Sequence, residues 1–321
     1  MAEISPALRA LAEKALAAWE FEEARLHPIG ISENASFRVD TPGKRYLLRI
    51  HRPGYHTLAE LESEHVWTHA LLEAGVDVPV PARTPEGREY VTLGFEGGER
   101  HIGMLEWVDG ELLHHVIHRK PSDVARHFRN VGRIAAAIHN QSSCWSVPAG
   151  FQRHRLDIDG LLGDDAFWGH FWTLPQMSNP QREVIGSARR AIAEELSRLG
   201  QGSQIFSLIH ADLHTANLVV GEQSLHVIDF DDAGFGWHHY ELAVAIHRHY
   251  GEDWFDDIQA ALVEGYRDVR PLADSAVAML PMFLLVRSLV HLGWRAQRPE
   301  HGTDLSEDIK DAVREARDWM G

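Results

Sequence analysis

The sequence predicts an α+β protein in which a strand-rich small lobe precedes a larger, mostly helical one. Three observations carry this. Short alternating or apolar runs separated by turn residues recur through the first 107 residues. Longer stretches with helical spacing dominate from Val108 onward. One brief strand pair, Leu218–Val220 and Leu225–Phe230 about a Gly221–Ser224 turn, interrupts those helices. Alternation marks strands and the 3.6-residue period marks helices, so the change of period marks the change of lobe. The expected division is residues 1–107 and 108–321.

Residues 1–26 read as a helix, and the turn-rich stretch Gly30–Ser36 leads into a short strand at Phe37–Asp40. Thr41–Lys44 is a turn between that strand and Tyr46–Ile50, where Tyr46, Leu48 and Ile50 share one face while Leu47 and Arg49 share the other. Leu58–Ala74 reads as a helix stopped by Gly75 at its C-cap. Val76–Pro81 is extended, and strands are expected at Glu89–Leu93 and His101–Trp107, giving about five strands and one inserted helix. Helices are expected at 122–139, 181–199, 238–250, 253–269, 274–296 and 304–319.

Composition excludes several function classes. The chain has 321 residues, 44% hydrophobic and 24% charged, the balance of an ordinary globular protein rather than a disordered one. A formal net charge of −16 repels nucleic acid and acidic membranes, whose binding needs clustered cations, and is compatible with a cationic small-molecule partner. Cys144 is the only cysteine, so neither a disulfide scaffold nor a cysteine-rich zinc site is available. The charged N-terminal segment lacks the apolar core of a signal peptide, and the longest apolar run, Ala276–Val286, is interrupted by Pro281. A soluble, cytoplasmic protein without nucleic-acid or membrane partners is expected; oligomeric state is open.

The chemistry concentrates in His210-Ala-Asp212-Leu-His-Thr-Ala-Asn217, preceded by the apolar run Ile205–Ile209 and followed by Val227-Ile-Asp229-Phe-Asp-Asp232. The His, Asp and Asn spacing, and an Asp-Phe dipeptide after a short hairpin, match the H-R-D-L-x-x-x-N and D-F-G signatures of protein kinases. Phosphoryl transfer needs a carboxylate that accepts a hydroxyl proton, a role suited to Asp212. It also needs a carboxamide and a second carboxylate that hold magnesium against a triphosphate, roles suited to Asn217 and Asp229. A hairpin returns the chain, so two ligands separated in sequence are expected to approach each other. Taken singly, each of these residues reads as a turn or cap residue; only their joint pattern carries the assignment.

This core resembles the aminoglycoside phosphotransferase superfamily, which includes choline kinase, type II homoserine kinase and a stress-response Ser/Thr kinase. The resemblance extends over residues 25 to 300 or so and is strongest toward the homoserine-kinase and stress-kinase branch, which Arg287–Arg298 and Gly163–Gly169 also resemble. It implies a protein-kinase-like bilobal fold, ATP and Mg2+, a hydroxyl acceptor, Asp212 as base and Asn217 and Asp229 as metal ligands. It further implies that Arg49 stands where lysine is usual, paired with Glu64 (Glu60 and Glu62 being the other candidates), and that Ser32 and Asn34 belong to the phosphate-covering loop. Glu106 and Val108 fall at the adenine-binding hinge, and Trp168, Trp172 and Phe167 either roof the acceptor site or pack the core. Glu241 takes the place of an aspartate that braces the catalytic loop.

The acceptor is a small hydroxylated molecule on this reading, or a protein serine or threonine on its alternative. Two other classes compete. A metal hydrolase would be built on His210, Asp212, His214 and Asp229, and a non-catalytic nucleotide-binding module would be foreshadowed by Arg49. The pairs His114-His115 and His238-His239 are poor joint metal ligands, because adjacent helical residues point in different directions.

Overall fold

Alternating burial along the first strands builds a sheet with one apolar face. The computed structural model describes residues 4–21, 23–222 and 224–321, and the chain divides into two compact units. The first comprises residues 1–111, 147–152 and 219–231; the second comprises 112–146, 153–218 and 232–321.

In the first unit, helix α1 (Pro6–Leu16) starts at Ser5, whose side chain caps Leu8 N–H. Strands β1 (Arg25–Ile31), β2 (Ala35–Thr41) and β3 (Lys44–Ile50) follow, then helix α2 (Leu58–Glu73) and strands β4 (Tyr90–Phe95) and β5 (Gly98–Glu106). The sheet is antiparallel in the order β1-β2-β3-β5-β4. Phe37, Val39, Leu48, Ile50, Ile102 and Met104 point to one face and bury against Leu11 and Ala15 of α1. A capping box between Thr57 and Glu60 starts α2, and Gly75 in the left-handed region follows its end. Gly103 is required on β5, because a Cβ there would lie 2.7 Å from the Tyr90 ring.

Five strands are present, but not the five expected. Arg25–Ile31, read as the end of a helix and a turn, is an edge strand with a register shift between Pro28 and Gly30. Edge position and bulge are where proline and glycine are tolerated in a sheet. Val76–Pro81 forms no strand; Pro81 makes a single bridge to Leu105. The first helix is correspondingly shorter than residues 1–26, of which Met1–Glu3 and Glu22 lie outside the described residues.

The second unit begins at Leu112, the last residue of the short strand β6 (Glu111–Leu112). It holds helices α3 (Leu113–Arg119), α4 (Val124–Cys144), α5 (Ile158–Leu162), α6 (Asn179–Leu199), α7 (His238–His247), α8 (Phe255–Arg267), α9 (Asp274–Val277), α10 (Leu280–Ala296) and α11 (Ser306–Met320). Strands β7 (Arg155–Leu156), β8 (Phe206–Ile209) and β11 (Gly234–Trp237) form a small sheet in which β11 runs antiparallel to β8 and parallel to β7. Between them in sequence, β9 (Leu218–Val220) and β10 (Leu225–Val227) form the expected hairpin, closed by Gly221 N–H to Ser224 O and, from Val219 on, belonging to the first unit. Gln223 in that turn lies outside the described residues. The expected helix at 274–296 is broken at Ala278-Met279, and those at 122–139 and 238–250 end at Cys144 and His247.

Helices α4 and α8 meet through glycine. A Cβ at Gly132 would sit 2.0 Å from Leu262 O, and one at Gly265 would sit 1.8 Å from Arg129 O. The stretch Asp274–Ala296 has the length and hydropathy of a membrane span, yet 61% of its most apolar window is buried within the protein.

Candidate active site

The loop that leaves β8 is held open by one carboxylate. His210 and Ala211 each donate a main-chain N–H, at 2.8 Å, to the two oxygens of Glu241 on α7. Glu241 is fully buried. Burial pushes its carboxyl up to about 8, against the pull of those two N–H donors. Ala211 takes a left-handed backbone, φ +64°, a conformation costly for a residue with a Cβ and maintained here by the Glu241 brace. The turn projects Asp212 outward and then closes as a single 3-10 turn, Thr215–Asn217.

Asp212 is surrounded by donors. Asn217 Nδ2 donates to its main-chain oxygen and to Oδ2, both at 2.9 Å. His214 Nε2 lies 3.2 Å from Oδ2, and Arg287 Nη2 donates to Oδ1 at 2.6 Å. Arg287 also donates to the Tyr240 hydroxyl at 3.3 Å. Burial pushes the Asp212 carboxyl up, but His214, Arg287 and Arg248 outweigh it and hold the group well below the ordinary carboxylate range. The side chain keeps 21% exposure, so an ionised carboxylate is presented at a surface. It still has lone pairs to accept a hydroxyl hydrogen, because two oxygens offer about four acceptor positions.

Arg287 is a functional candidate that pattern reading did not isolate, 75 positions from its partner. Its one sequence signal is a cation inside the apolar stretch Leu280–Leu292.

In the first unit, Arg49 on β3 is buried and its Nη2 lies 3.1 Å from Asp229 Oδ1. Glu64, expected as its partner, is buried on α2 and acts on Arg49 as one of three negative charges, after Asp229 and Asp231. Burial works against the Arg49 charge, yet those carboxylates hold its pKa above the ordinary arginine value. Asp229 takes a left-handed backbone, φ +68°, and keeps 40% side-chain exposure.

Asp231 is buried and ties the region together: Asn34 Nδ2 donates to its Oδ2 at 3.1 Å, His51 Nδ1 lies 3.5 Å from Oδ1, and His56 Nε2 lies 2.7 Å from its main-chain oxygen. Asn34 Oδ1 accepts from Arg52 N–H at 2.9 Å, so both ends of that amide are engaged by residues outside its loop. Ser32 is exposed beside it. Glu106 donates its main-chain N–H to Val80 O and pairs through its side chain with Lys44, while Val108 lies just past the end of β5.

Asp229 and Asn217, each taken within its own unit, offer oxygen donors of the kind a hard divalent cation takes. Asp229 has a part-exposed carboxylate. Asn217 commits its amide nitrogen to Asp212, which leaves its carbonyl oxygen as the acceptor end. Among the described residues no group of three or more His, Cys, Asp or Glu side chains is arranged for a metal. His210 instead accepts the Asp212 N–H through Nδ1, as a packed structural residue.

Comparison with known proteins bears on the fold and the family. The fold matches a solved microcompartment-associated aminopropanol kinase with a TM-score of 0.81 and 31% identity, covering 96% of this chain and 94% of that one. An amicoumacin kinase solved in complex with AMP-PNP, Ca2+ and Ami matches with a TM-score of 0.79 and 19% identity, covering 97% of this chain and 92% of that one. A homoserine kinase of Rhizobium rhizogenes is 29% identical over 218 residues, 66% of this chain and 61% of that enzyme. The profile of the phosphotransferase enzyme family matches residues 23–275. With its kinase-like fold and the loop at His210–Asn217, the chain belongs to the phosphotransferase enzyme family.

Proposed function

We propose that the protein transfers the γ-phosphoryl group of ATP to a hydroxyl of a small molecule, with Asp212 as the residue that receives the hydroxyl proton. The observation that carries this reading is the hold on Asp212: an ionised, part-exposed carboxylate fixed by Asn217, His214 and Arg287 on a braced loop. A carboxylate kept so far from protonation is a weak base. That suits phosphoryl transfer through a loose transition state, where orienting the nucleophile matters more than early proton removal. The acceptor oxygen forms its bond to phosphorus as the bond to the leaving ADP oxygen breaks, and its proton passes to Asp212.

Magnesium, when bound, would neutralise charge on the phosphates, and Asn217 and Asp229 are the residues assigned to hold it. Arg49 is assigned to the phosphates, a role its permanent charge and planar fork allow. Ser32 and the main-chain N–H groups of its loop are assigned to the same oxygens, with Asn34 fixing that loop through Asp231. Glu64 supports Arg49 electrostatically, and the adenine is assigned to the main chain near Glu106 and Val108. A solved relative that holds AMP-PNP and Ca2+ supports nucleotide and divalent-metal use. The acceptors named for the relatives, aminopropanol, amicoumacin and homoserine, are all small, and none supports a protein substrate.

Two measurements test the reading. Mg·AMP-PNP should raise the melting temperature while AMP-PNP without divalent cation should not. A panel of hydroxylated metabolites, aminoglycosides and a generic protein substrate should show ATP-dependent mass gain on a small molecule. Stabilisation with phosphorylation of the protein substrate alone would contradict the acceptor class, and no stabilisation would contradict the nucleotide assignment.

A further inference from the structure

A cavity of about 720 Å3 lies in the second unit, lined by α7, α10 and α11 and by the residues that follow α7. Its volume is that of a small-molecule site. Arg287 lines it, and Arg287 is the residue that grips Asp212. The carboxylate assigned to the acceptor hydroxyl does not itself line the cavity; it lies one hydrogen bond behind the Arg287 guanidinium.

The charges on its walls are matched almost completely. Arg287 pairs with Asp212 at 2.6 Å, Arg295 with Asp308 at 3.3 Å and Arg314 with Asp311 at 2.7 Å. Glu315 accepts a hydrogen bond from Ser288, and burial pushes its carboxyl up. Arg248 is the exception. It lines the same cavity, yet among the described residues it has neither a hydrogen bond nor an ion pair. Arg248 is an exposed residue on that wall; partial desolvation lowers its pKa, and the attraction of Asp212 outweighs the repulsion of Arg287 without offsetting the desolvation. His247 and His291, also on the wall, are held neutral by burial and by the neighbouring arginines, both at about 3. They add no negative charge and can still donate hydrogen bonds.

We infer that this cavity receives the phosphoryl acceptor and that the acceptor is a hydroxylated carboxylic acid whose carboxylate pairs with Arg248. The inference rests on the assignment of Asp212 to the acceptor hydroxyl. An exposed guanidinium that no protein hydrogen bond engages is open to one negative charge, which a carboxylate supplies and a phosphate dianion would exceed. Arginine's fork matches a carboxylate with two parallel hydrogen bonds. Two of the three acidic groups of the wall are committed to cations, Asp308 and Asp311 each holding an arginine, and the third, Glu315, accepts from Ser288 with its pKa raised by burial, which disfavours a competing ammonium site. An acidic surface alone is compatible with a cationic acceptor; the arrangement inside the cavity favours an anionic end.

The test uses matched pairs: L-serine against ethanolamine, and 4-hydroxybutanoate against butane-1,4-diol. Melting temperature is read without nucleotide, and phosphorylation is read with Mg·ATP. At least one acid should stabilise the wild-type protein and be phosphorylated with kcat/KM roughly 10-fold above its uncharged or amine partner, the scale of losing a hydrogen bond to a charged group. Arg248→Gln should raise the acceptor KM by a similar factor, leave the KM for ATP unchanged, and abolish the acid-induced stabilisation. Phosphorylation of amino alcohols or diols in preference to acids would overturn the anionic acceptor and keep the kinase. Acids that stabilise the wild type but not Arg248→Gln, and are never phosphorylated, would uphold the anion site and overturn the transfer assignment. No acid-induced stabilisation and no loss of acceptor KM in Arg248→Gln would overturn the inference itself.

Discussion

Replacing Glu241 by glutamine isolates the brace beneath the catalytic loop. The side chain keeps its volume, but one acceptor oxygen becomes an NH2 group facing a main-chain N–H of His210 or Ala211, both of which donate at 2.8 Å in the native protein. A buried donor without a partner costs about 1–3 kcal/mol. At roughly 2–4 °C per kcal/mol for a protein of this size class, the melting temperature of Glu241→Gln should fall by about 2–12 °C.

The loop also carries Asp212, and a displacement near 1 Å at a reacting group costs on the order of 100-fold in rate. We expect kcat to fall roughly 10- to 100-fold while the KM for nucleotide stays near wild type. The effect has a pH signature. Burial raises the folded-state pKa of Glu241 from about 4.5 to about 8, so its contribution to stability is present in full below pH 4.5 and is lost as pH rises through 8. Glutamine does not ionise, and the stability gap between the two proteins should narrow as pH rises over that window. Scanning calorimetry and steady-state kinetics read both effects; an unchanged melting temperature with kcat within about twofold would refute the brace.

Buried histidines should make the second unit acid-labile. Burial holds His238, His247 and His291 at about 3 and His239 at about 4. Their contribution is complete above the unfolded value near 6.5 and is lost as pH falls, at about 1.4 kcal/mol per pH unit for each proton taken up. The melting temperature should drop steeply from pH 6 to pH 4, and a flat profile would contradict the neutral assignments. Gly132→Ala places a Cβ 2.0 Å from Leu262 O and should cost about 3 kcal/mol or more, read as a lowered denaturation midpoint; an unchanged midpoint would show that α4 and α8 separate easily. Arg49→Ala should raise the KM for ATP and lower kcat, and Arg49→Lys should restore part of both, since the charge is kept but the fork that meets Asp229 is lost.

Local features were legible in the chain because their causes are local. The alternation Tyr46, Leu48, Ile50 produced β3 with its apolar face inward, and Thr57 to Gly75 bounded α2 by cap chemistry. The spacing of His210, Asp212 and Asn217 needed no tertiary information. Long-range pairings left no local trace: Arg49 meets Asp229, not principally Glu64, and Asp212 meets Arg287. β1 was hidden for a different reason. Pro28 and Gly30 carry turn propensity, and only the edge position, invisible in sequence, makes them acceptable in a strand. Arg248 gave no signal at all, because a lone surface arginine becomes notable only when every other charge around it is found to be matched.

The central claim is that Asp212 receives the proton of a hydroxyl that attacks the γ-phosphoryl group of ATP. Comparing wild type with Asp212→Asn in a phosphorus NMR assay of ATP and the best acceptor tests it most directly. Asparagine keeps an oxygen for Arg287, so the fold should survive, as a melting curve in Mg·AMP-PNP verifies. The account predicts a phosphomonoester signal in wild type and a rate at least about 100-fold lower in the variant, with nucleotide binding retained. An Asp212→Asn protein that transfers phosphate at the wild-type rate would contradict it.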